Sequence, residues 1–409
     1  MVASGYRAKE RCDALGVKPF SDGEGFLFRP YLGPGHLAAI DQIGAWMREA
    51  GMTTRIDPAG NLIGRWGPGP KTLIIGSHID SVRDGGKYDG PLGVMLGIEC
   101  VAALKGETLP FAIEVYAFGD EEGSRFPAPM LTSRAVCGQL DVAALDVVDR
   151  DGVTLDQALR AAGLDISYFL DAKRESEDIL GYLEAHIEQG PVLEAENLAL
   201  GVVTAIAAQR RYEVVVEGVA GHAGTNAMHL RRDALTAAAE MVLAIEACGR
   251  DGPDDLVATV GRMSVEPGAP NVVPGRVAFT IDVRSGQESV RDTAAETILR
   301  AVLDIAVRRQ VSVQHRLVHD LPASPCDPTL MDALSAAVAA GGQTPRRIVS
   351  GAGHDAMVFA KITPAAMLFI RCKDGISHNP LESVTGEDCQ AAFKAMLHFI
   401  KNIGKTGNE

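Results

Sequence analysis

Three observations predict a mixed α/β fold in two domains. The chain is 409 residues long, beyond the usual single-domain size and ample for a large core. Strands, polar loops and helices alternate through its first part. The texture then changes near residue 210 and returns near residue 326. The alternation marks a mostly parallel sheet, in which ligands gather at the carboxyl ends of the strands.

Taken in order, GHLAAIDQIGAWMREAG (35–51) has apolar positions at helical spacing and stops on Gly51. A strand-like piece follows at Asn61–Arg65. Leu73–Ile75 in KTLIIGSHID is a buried strand candidate ending at Gly76. The loop RDGGKYDGPLG leads into an apolar helix from Val94 to Leu104. FAIEVYAFGDEEG repeats the pattern, with a strand over 111–118 running into polar residues. After residue 210, RYEVVVEGVAGHAG, DLVATVGRMSVEPG, RVAFTIDVRS and VSVQHRLVHDLP read as four strands. RRDALTAAAEMVLAIEACG and ESVRDTAAETILRAVLDIAVRR read as two helices. Helix–strand alternation resumes with LMDALSAAVAAGG, RIVSGAGHDAMVFA and AAMLFIRC. The expected organisation is therefore a catalytic domain in two pieces, 1–210 and 326–409. An α+β domain of four strands and two helices, 211–325, is inserted between them.

Apolar residues make up 46% and charged residues 22% of the chain, an ordinary globular composition. The net charge of -14, with no basic patch, argues against a nucleic-acid partner. The N-terminal MVASGYRAKERCDALG lacks the apolar stretch of a secretory signal, and no run approaches the ~18 apolar residues of a membrane span. Seven cysteines, none at CxxC spacing, read as reduced thiols of a cytoplasmic protein.

The chemistry-bearing residues stand in loops after apolar strands. His78 closes one strand, and Asp80 is placed to accept its second ring N–H. Asp89 sits in a glycine-rich loop, where the backbone can take unusual angles. Asp120, Glu121 and Glu122 follow the next strand and would repel one another unless a positive charge sat among them. His186, in EAHIEQGP, and His378, in GISHNPLE, complete the set. Three imidazoles and several carboxylates suit Zn²⁺ or Mn²⁺. Two such ions, roughly 3.5–4 Å apart, need a bridging carboxylate and share a hydroxide, and an unligated glutamate beside them can carry its proton. Taken singly, each of these residues is as readily a structural or solvated group.

GSHID, YDGPLGV, FGDEEGSRF, HIEQGPVLE, GHAGT, PNVVPG, SGAGHDAM and ISHNPLE, in this order from about residue 10 to 400, resemble the hydantoinase/carbamoylase branch of the M20 metallopeptidase-like amidohydrolases. The resemblance implies two divalent metal ions per subunit, zinc or manganese, with Asp89 bridging. It assigns His78 and His186 to one ion, Glu122 and His378 to the other, and the general base and acid to Glu121. It implies a strained, cis peptide bond after Asp89. It also makes the inserted domain a lid and homodimer interface, with His222 reaching the partner subunit's active site to stabilise an oxyanion. By residue chemistry alone, His222 reads as a hydrogen-bonded turn histidine. Asn271 and Arg284 match positions that grip a substrate carboxylate. Gln189 is a further polar contact, and His354 supports the site. Where the family carries a proline after GHAGT, this chain has Thr225-Asn226-Ala227-Met228, and a looser turn is expected there.

The stretch AAQRRYEVVVEG resembles allantoate amidohydrolases, with Gln209 and Arg211 placed to meet the second ureido arm of allantoate. Arg210 and Arg211 read equally well as a cap on an interdomain hinge. The resemblance therefore implies a metal-dependent amidohydrolase cutting a linear ureido or amide C–N bond, with allantoate first. N-carbamoyl-L-amino acids (or β-ureidopropionate) are the alternative and a dipeptidase the next. A non-catalytic small-molecule binding protein stands as the reading from another class.

Overall fold

The computed structural model describes residues 2–403; Met1 and the final residues 404–409 of the expected second catalytic piece lie outside the described residues. The chain divides into two compact units. One holds the residues up to Thr204, Cys326–Ile348 and those from Ala352 onward; the other holds Ala205–Pro325 and Val349–Gly351.

The first unit is built on a mixed sheet. Its strands run in the order Thr53–Ile56, Leu62–Trp66, Ala112–Phe118, Thr72–His78, Ile179–Ile187, Ala365–Ile370 and Leu200–Ile206. The middle four are mutually parallel, and the pairings at both edges are antiparallel. Strands 72–78, 112–118 and 365–370 are buried at every position, as expected where both faces of a parallel sheet are covered. Helix Pro91–Ala103 starts with proline at its first turn and is apolar nearly all round. It packs between strand Thr72–His78 and the helices Gly5–Leu15 and Gly386–Asn402. Its one charge, Glu99, is fully buried and accepts from Arg7 Nε at 2.8 Å and Arg11 Nη1 at 2.7 Å. A buried carboxylate is tolerable only with such partners.

The second unit is an antiparallel sheet ordered Met263–Glu266, Arg276–Ser285, Ala208–Glu217 and Ser312–Leu321, with Val257–Thr259 also pairing to Arg276–Ser285. The segment expected as one strand over DLVATVGRMSVEPG is thus two, interrupted at Val260–Arg262, and the sheet has five strands in place of the expected four. Alternate residues Tyr212, Val214 and Val216, with Val277, Phe279, Ile281 and Val283, meet the buried sides of helices Ala234–Arg250 and Glu288–Arg309. The period of two puts the polar partners Arg211, Asp282 and Arg284 on the opposite face. Asp233 caps the first of these helices by accepting from Leu235 N at 2.9 Å and Thr236 N at 3.1 Å.

Among the described residues no helix is long and apolar enough to cross a membrane. All seven cysteines are free thiols.

Candidate functional site

The carboxyl ends of the first unit's parallel strands converge on one point. His78 is the last residue of its strand, and His186 stands near the end of the adjacent one. Strand Ile179–Ile187, which carries His186, is buried at all positions but one, so its alternate polar residues Glu184 and His186 do not mark a solvent face. Glu121 and Glu122 follow the strand on the other side of His78. Asp89 precedes helix Pro91–Ala103, and His378 follows the turn Lys373–Gly375 in a left-handed conformation with φ of 54°.

Asp89 is the centre. Its Oδ1 lies 3.1 Å from His186 Nε2 and 3.9 Å from His78 Nε2, and its Oδ2 lies 3.2 Å from His378 Nε2. His378 Nε2 is also 3.4 Å from Glu122 Oε1. The rear ring nitrogens of the two buried histidines are held: His78 Nδ1 faces Asp80 O at 3.2 Å and Asp80 Oδ1 at 3.4 Å, and His186 Nδ1 faces Ile187 O at 2.9 Å. Such contacts select the tautomer that leaves Nε2 free to ligate. Among the described residues, three groups of side chains have ligating atoms within 4.8 Å of one another: His78–Asp89–His186, Asp89–Glu122–His378 and His78–Glu121–Glu122. This is a candidate metal-binding centre, and its donor set of imidazoles and carboxylates fits a divalent cation.

The electrostatics point the same way. Burial, and then neighbouring carboxylates, push Glu121 well above the usual carboxylate range and Glu122 up to about 7. Burial alone would raise Asp89, but hydrogen bonds from His186 and His378 hold it well below its ordinary value. The contact with Asp89 lifts His378 to about 9. A site that forces carboxylates to keep protons and imidazoles to take them up is one that a cation relieves.

Asp80 does more than face His78. Its Oδ1 accepts the amide of Glu121 at 3.1 Å, and its Oδ2 that of Glu122 at 3.2 Å. Gln189 donates from Nε2 to Asp89 Oδ1 at 3.0 Å and to Ser377 Oγ at 3.1 Å, which leaves its buried carbonyl Oε1 without a partner. The His354 ring packs edge-on against His186, with centroids 4.4 Å apart. Burial keeps His354 well below the usual histidine value, so it stays neutral. The peptide bond after Asp89 is not cis: the cis bonds among the described residues are Lys18–Pro19 and Glu266–Pro267, and the unusual angle belongs to Gly90, with φ of 87°. Glycine takes that conformation without strain. A cavity of about 220 Å³ opens over the cluster, lined also by Pro129, Met130 and Gly353.

The remaining expected site residues lie on the second unit, in two groups. His222 pairs in register with Val272, so that Asn271 O accepts the amide of Ala223 at 2.9 Å. The turn after His222 is closed despite its missing proline: Asn226 N donates to His222 O at 3.0 Å, and Arg231 donates to Asn226 O at 2.9 Å and Ala223 O at 2.6 Å. Gln209, Arg211 and Arg284 converge on Asp282. Gln209 Nε2 and Arg211 Nε donate to its Oδ2 at 2.8 and 2.7 Å; Arg284 makes a fork to both oxygens at 2.8 and 3.0 Å and gives Nη1 to Gly351 O at 2.6 Å. Arg210 pairs instead with Asp292 and Asp320. Arg211, Asp282 and Arg284 border a cavity of about 560 Å³. Sequence reading missed Asp282, although its place two residues before Arg284 on one strand face was the available signal.

Comparison with known proteins gives consistent likenesses. Residues 74–402 match the model of peptidase family M20/M25/M40. The chain is 41% identical to a probable allantoate deiminase of Oryza sativa subsp. japonica over 93% of this chain and 85% of that one. It is 40% identical to an N-carbamoyl-L-amino acid amidohydrolase of Geobacillus stearothermophilus over 90% and 91%. A crystal structure of a hydantoinase/carbamoylase family amidase from Burkholderia multivorans superposes with a TM-score of 0.89 at 34% identity, covering 98% and 97%.

Proposed function

The chain belongs to peptidase family M20/M25/M40 and is an amidohydrolase of it, and on that premise we propose that it hydrolyses a linear ureido C–N bond at a two-cation site, with allantoate as the substrate. The observation that carries the reading is that Asp89 belongs to both ligand groups that otherwise share nothing, one holding His78 and His186 and the other Glu122 and His378. Its two oxygens face the two groups separately, which is the disposition of a bridging carboxylate.

His78, Asp89, Glu122, His186 and His378 would hold a pair of zinc or manganese ions, which would supply Lewis-acid chemistry there. Glu121 takes the proton of the attacking water and delivers it to the leaving nitrogen, a role that its raised proton affinity suits. Its position is set by the main chain, through the amide held on Asp80. Arg284 grips the substrate carboxylate, and Asp282 holds its fork in one orientation; Asn271, which stands with His222 at the other end of strand Arg276–Ser285, joins that carboxylate from the partner subunit together with His222. Gln189 offers its unpartnered carbonyl to a substrate N–H. In a cytoplasmic homodimer formed through the inserted unit, His222 donates an N–H to the oxyanion in the partner subunit's active site.

N-carbamoyl-L-amino acids are the second reading, and a specific observation favours keeping it: the bacterial relative that bears that activity in its name is as similar as the plant allantoate deiminase. Moreover, Gln209 and Arg211, the residues suited to a second ureido arm, are both engaged by Asp282. The deciding experiment is ammonia release from allantoate and from a panel of N-carbamoyl-L-amino acids and dipeptides, using one Mn²⁺-loaded preparation with its metal content measured. Faster turnover of N-carbamoyl amino acids removes allantoate as the substrate. Absence of both metal and turnover favours a binding protein.

A further inference from the structure

Glu382 is a buried carboxylate in the first unit that touches none of the ligating atoms. Its Oε1 accepts the backbone amides of Tyr88 at 2.8 Å and Asp89 at 3.1 Å. Its Oε2 meets Ser377 Oγ at 3.1 Å, and the same hydroxyl lies 3.1 Å from Asp89 Oδ2. On another side the chain presses directly on it: a Cβ on Gly86 would lie 2.1–2.3 Å from the carboxyl carbon and both oxygens. One carboxylate thus joins the loop that carries Asp89 to the segment that carries His378, two stretches nearly 300 positions apart (|i−j| of 293 for Asp89 and Glu382).

We propose that Glu382 is a positioning residue for the cation site, tying the Tyr88–Asp89 backbone to Ser377 so that both Asp89 oxygens are held toward their separate ligand groups. This rests on reading Asp89 and His378 as metal ligands. The hydrogen-bond inventory explains why a carboxylate stands here. Two backbone N–H groups in a buried loop need acceptors, and a single oxygen serves both. The second oxygen sits against a hydroxyl that has one hydrogen to give and two carboxylates within reach. Ser377 Oγ accepts from Gln189 Nε2 as well, so the hydroxyl is the junction through which Glu382 and Gln189 act on Asp89 Oδ2. Partners of this kind govern how well a ligand set holds its metal.

Glutamine is the informative substitution. It keeps an acceptor for the two amides, and its NH₂ can donate to Ser377 Oγ, leaving the hydroxyl hydrogen for Asp89. Alanine removes every contact. The test is competition of the apoprotein against a chromophoric chelator for Mn²⁺ and Zn²⁺, with the thermal midpoint of each apoprotein recorded alongside. Glu382→Ala is expected to weaken metal binding by about 10–100-fold, and Glu382→Gln to bind close to wild type. Gly86→Ala, which displaces the carboxylate from its other side, is expected to follow Glu382→Ala. Wild-type affinity in Glu382→Ala overturns the proposal, as does a Glu382→Gln protein that binds as weakly as the alanine variant. Should Glu382→Ala not fold, Ser377→Ala decides: it removes only the hydroxyl, so weaker metal binding at an unchanged apoprotein midpoint supports the proposal and unchanged affinity overturns it. A wild-type protein that binds no metal refutes the ligand assignment itself, which is a separate result.

Discussion

The imidazole of His78 occupies the space where a side chain on Gly90 would be: a Cβ built there lies 2.6 Å from three of the ring's atoms. Gly90 also holds φ of 87°. Gly90→Ala therefore strains the backbone and pushes a ligand out of place at once. The expected result is a folded protein with metal affinity reduced about tenfold or more, read by chelator competition. Normal metal content in the alanine variant would show that the ring has room to move.

Glu121→Gln tests the proton carrier. The amide keeps the volume and the backbone anchor on Asp80 but cannot take a proton. Turnover is expected to fall by about 10²–10⁴-fold, with metal content near wild type. Retained activity would move the role to another group, and joint loss of metal and activity would make Glu121 a ligand, as its place in the His78–Glu121–Glu122 group permits.

Arg284 and Asp282 test substrate recognition. Arg284→Lys keeps the charge and loses the fork. A hydrogen bond to a charged group contributes about 1.5–3 kcal/mol, so KM for a carboxylate-bearing substrate is expected to rise about tenfold or more, with kcat changed far less. Asp282→Asn, which leaves one oxygen facing the guanidinium, is expected to shift KM in the same direction by a smaller factor. A fall in kcat alone would contradict a ground-state binding role for either residue.

The apoprotein's stability is expected to depend on pH in a definite direction. Burial raises Glu122 and Glu382 to about 7 and Asp355 to about 8 in the folded state. Contact with Asp89 raises His378 to about 9. A group whose proton affinity is higher in the folded state stabilises the fold below its unfolded pKa, and that contribution is lost as pH rises through the folded value. Both kinds of group therefore act together: the apoprotein's thermal midpoint should fall from pH 5 to pH 9. Asp89, held below its ordinary value, acts only at lower pH. Added Mn²⁺ should raise the midpoint most at the alkaline end, where the ligands are deprotonated. A midpoint that rises over this range would contradict the buried-carboxylate account.

Much of the first unit's architecture was legible, because strands 72–78 and 112–118 are short apolar runs that end in polar loops. Helix Gly386–Asn402 and strand Ile179–Ile187 were not read. The strand's Glu184 and His186 look like surface alternation, yet both are buried: Glu184 accepts from Ser77 Oγ at 2.9 Å, Tyr182 Oη at 3.1 Å and Ala356 N at 2.9 Å. In the second unit the period of two was plain in RVAFTIDVRS, while Val260–Arg262 broke a run that composition alone made continuous. Candidate ligands could be named because histidines and carboxylates stand out in glycine-rich loops. Asp80 could be read as a partner of His78 from its spacing, but its hold on the amides of Glu121 and Glu122, and that of Glu382 on two more, act through the backbone and leave no spacing to read.

The wide dispersal of the candidate ligands has a consequence for how the protein is made. His78 and His186 become neighbours only when their strands pair, and His378 is made after both of them. A chain still emerging from the ribosome therefore has no complete donor set with which to capture a metal ion. The complete set of candidate donors exists only after the chain through His378 has been made and folded.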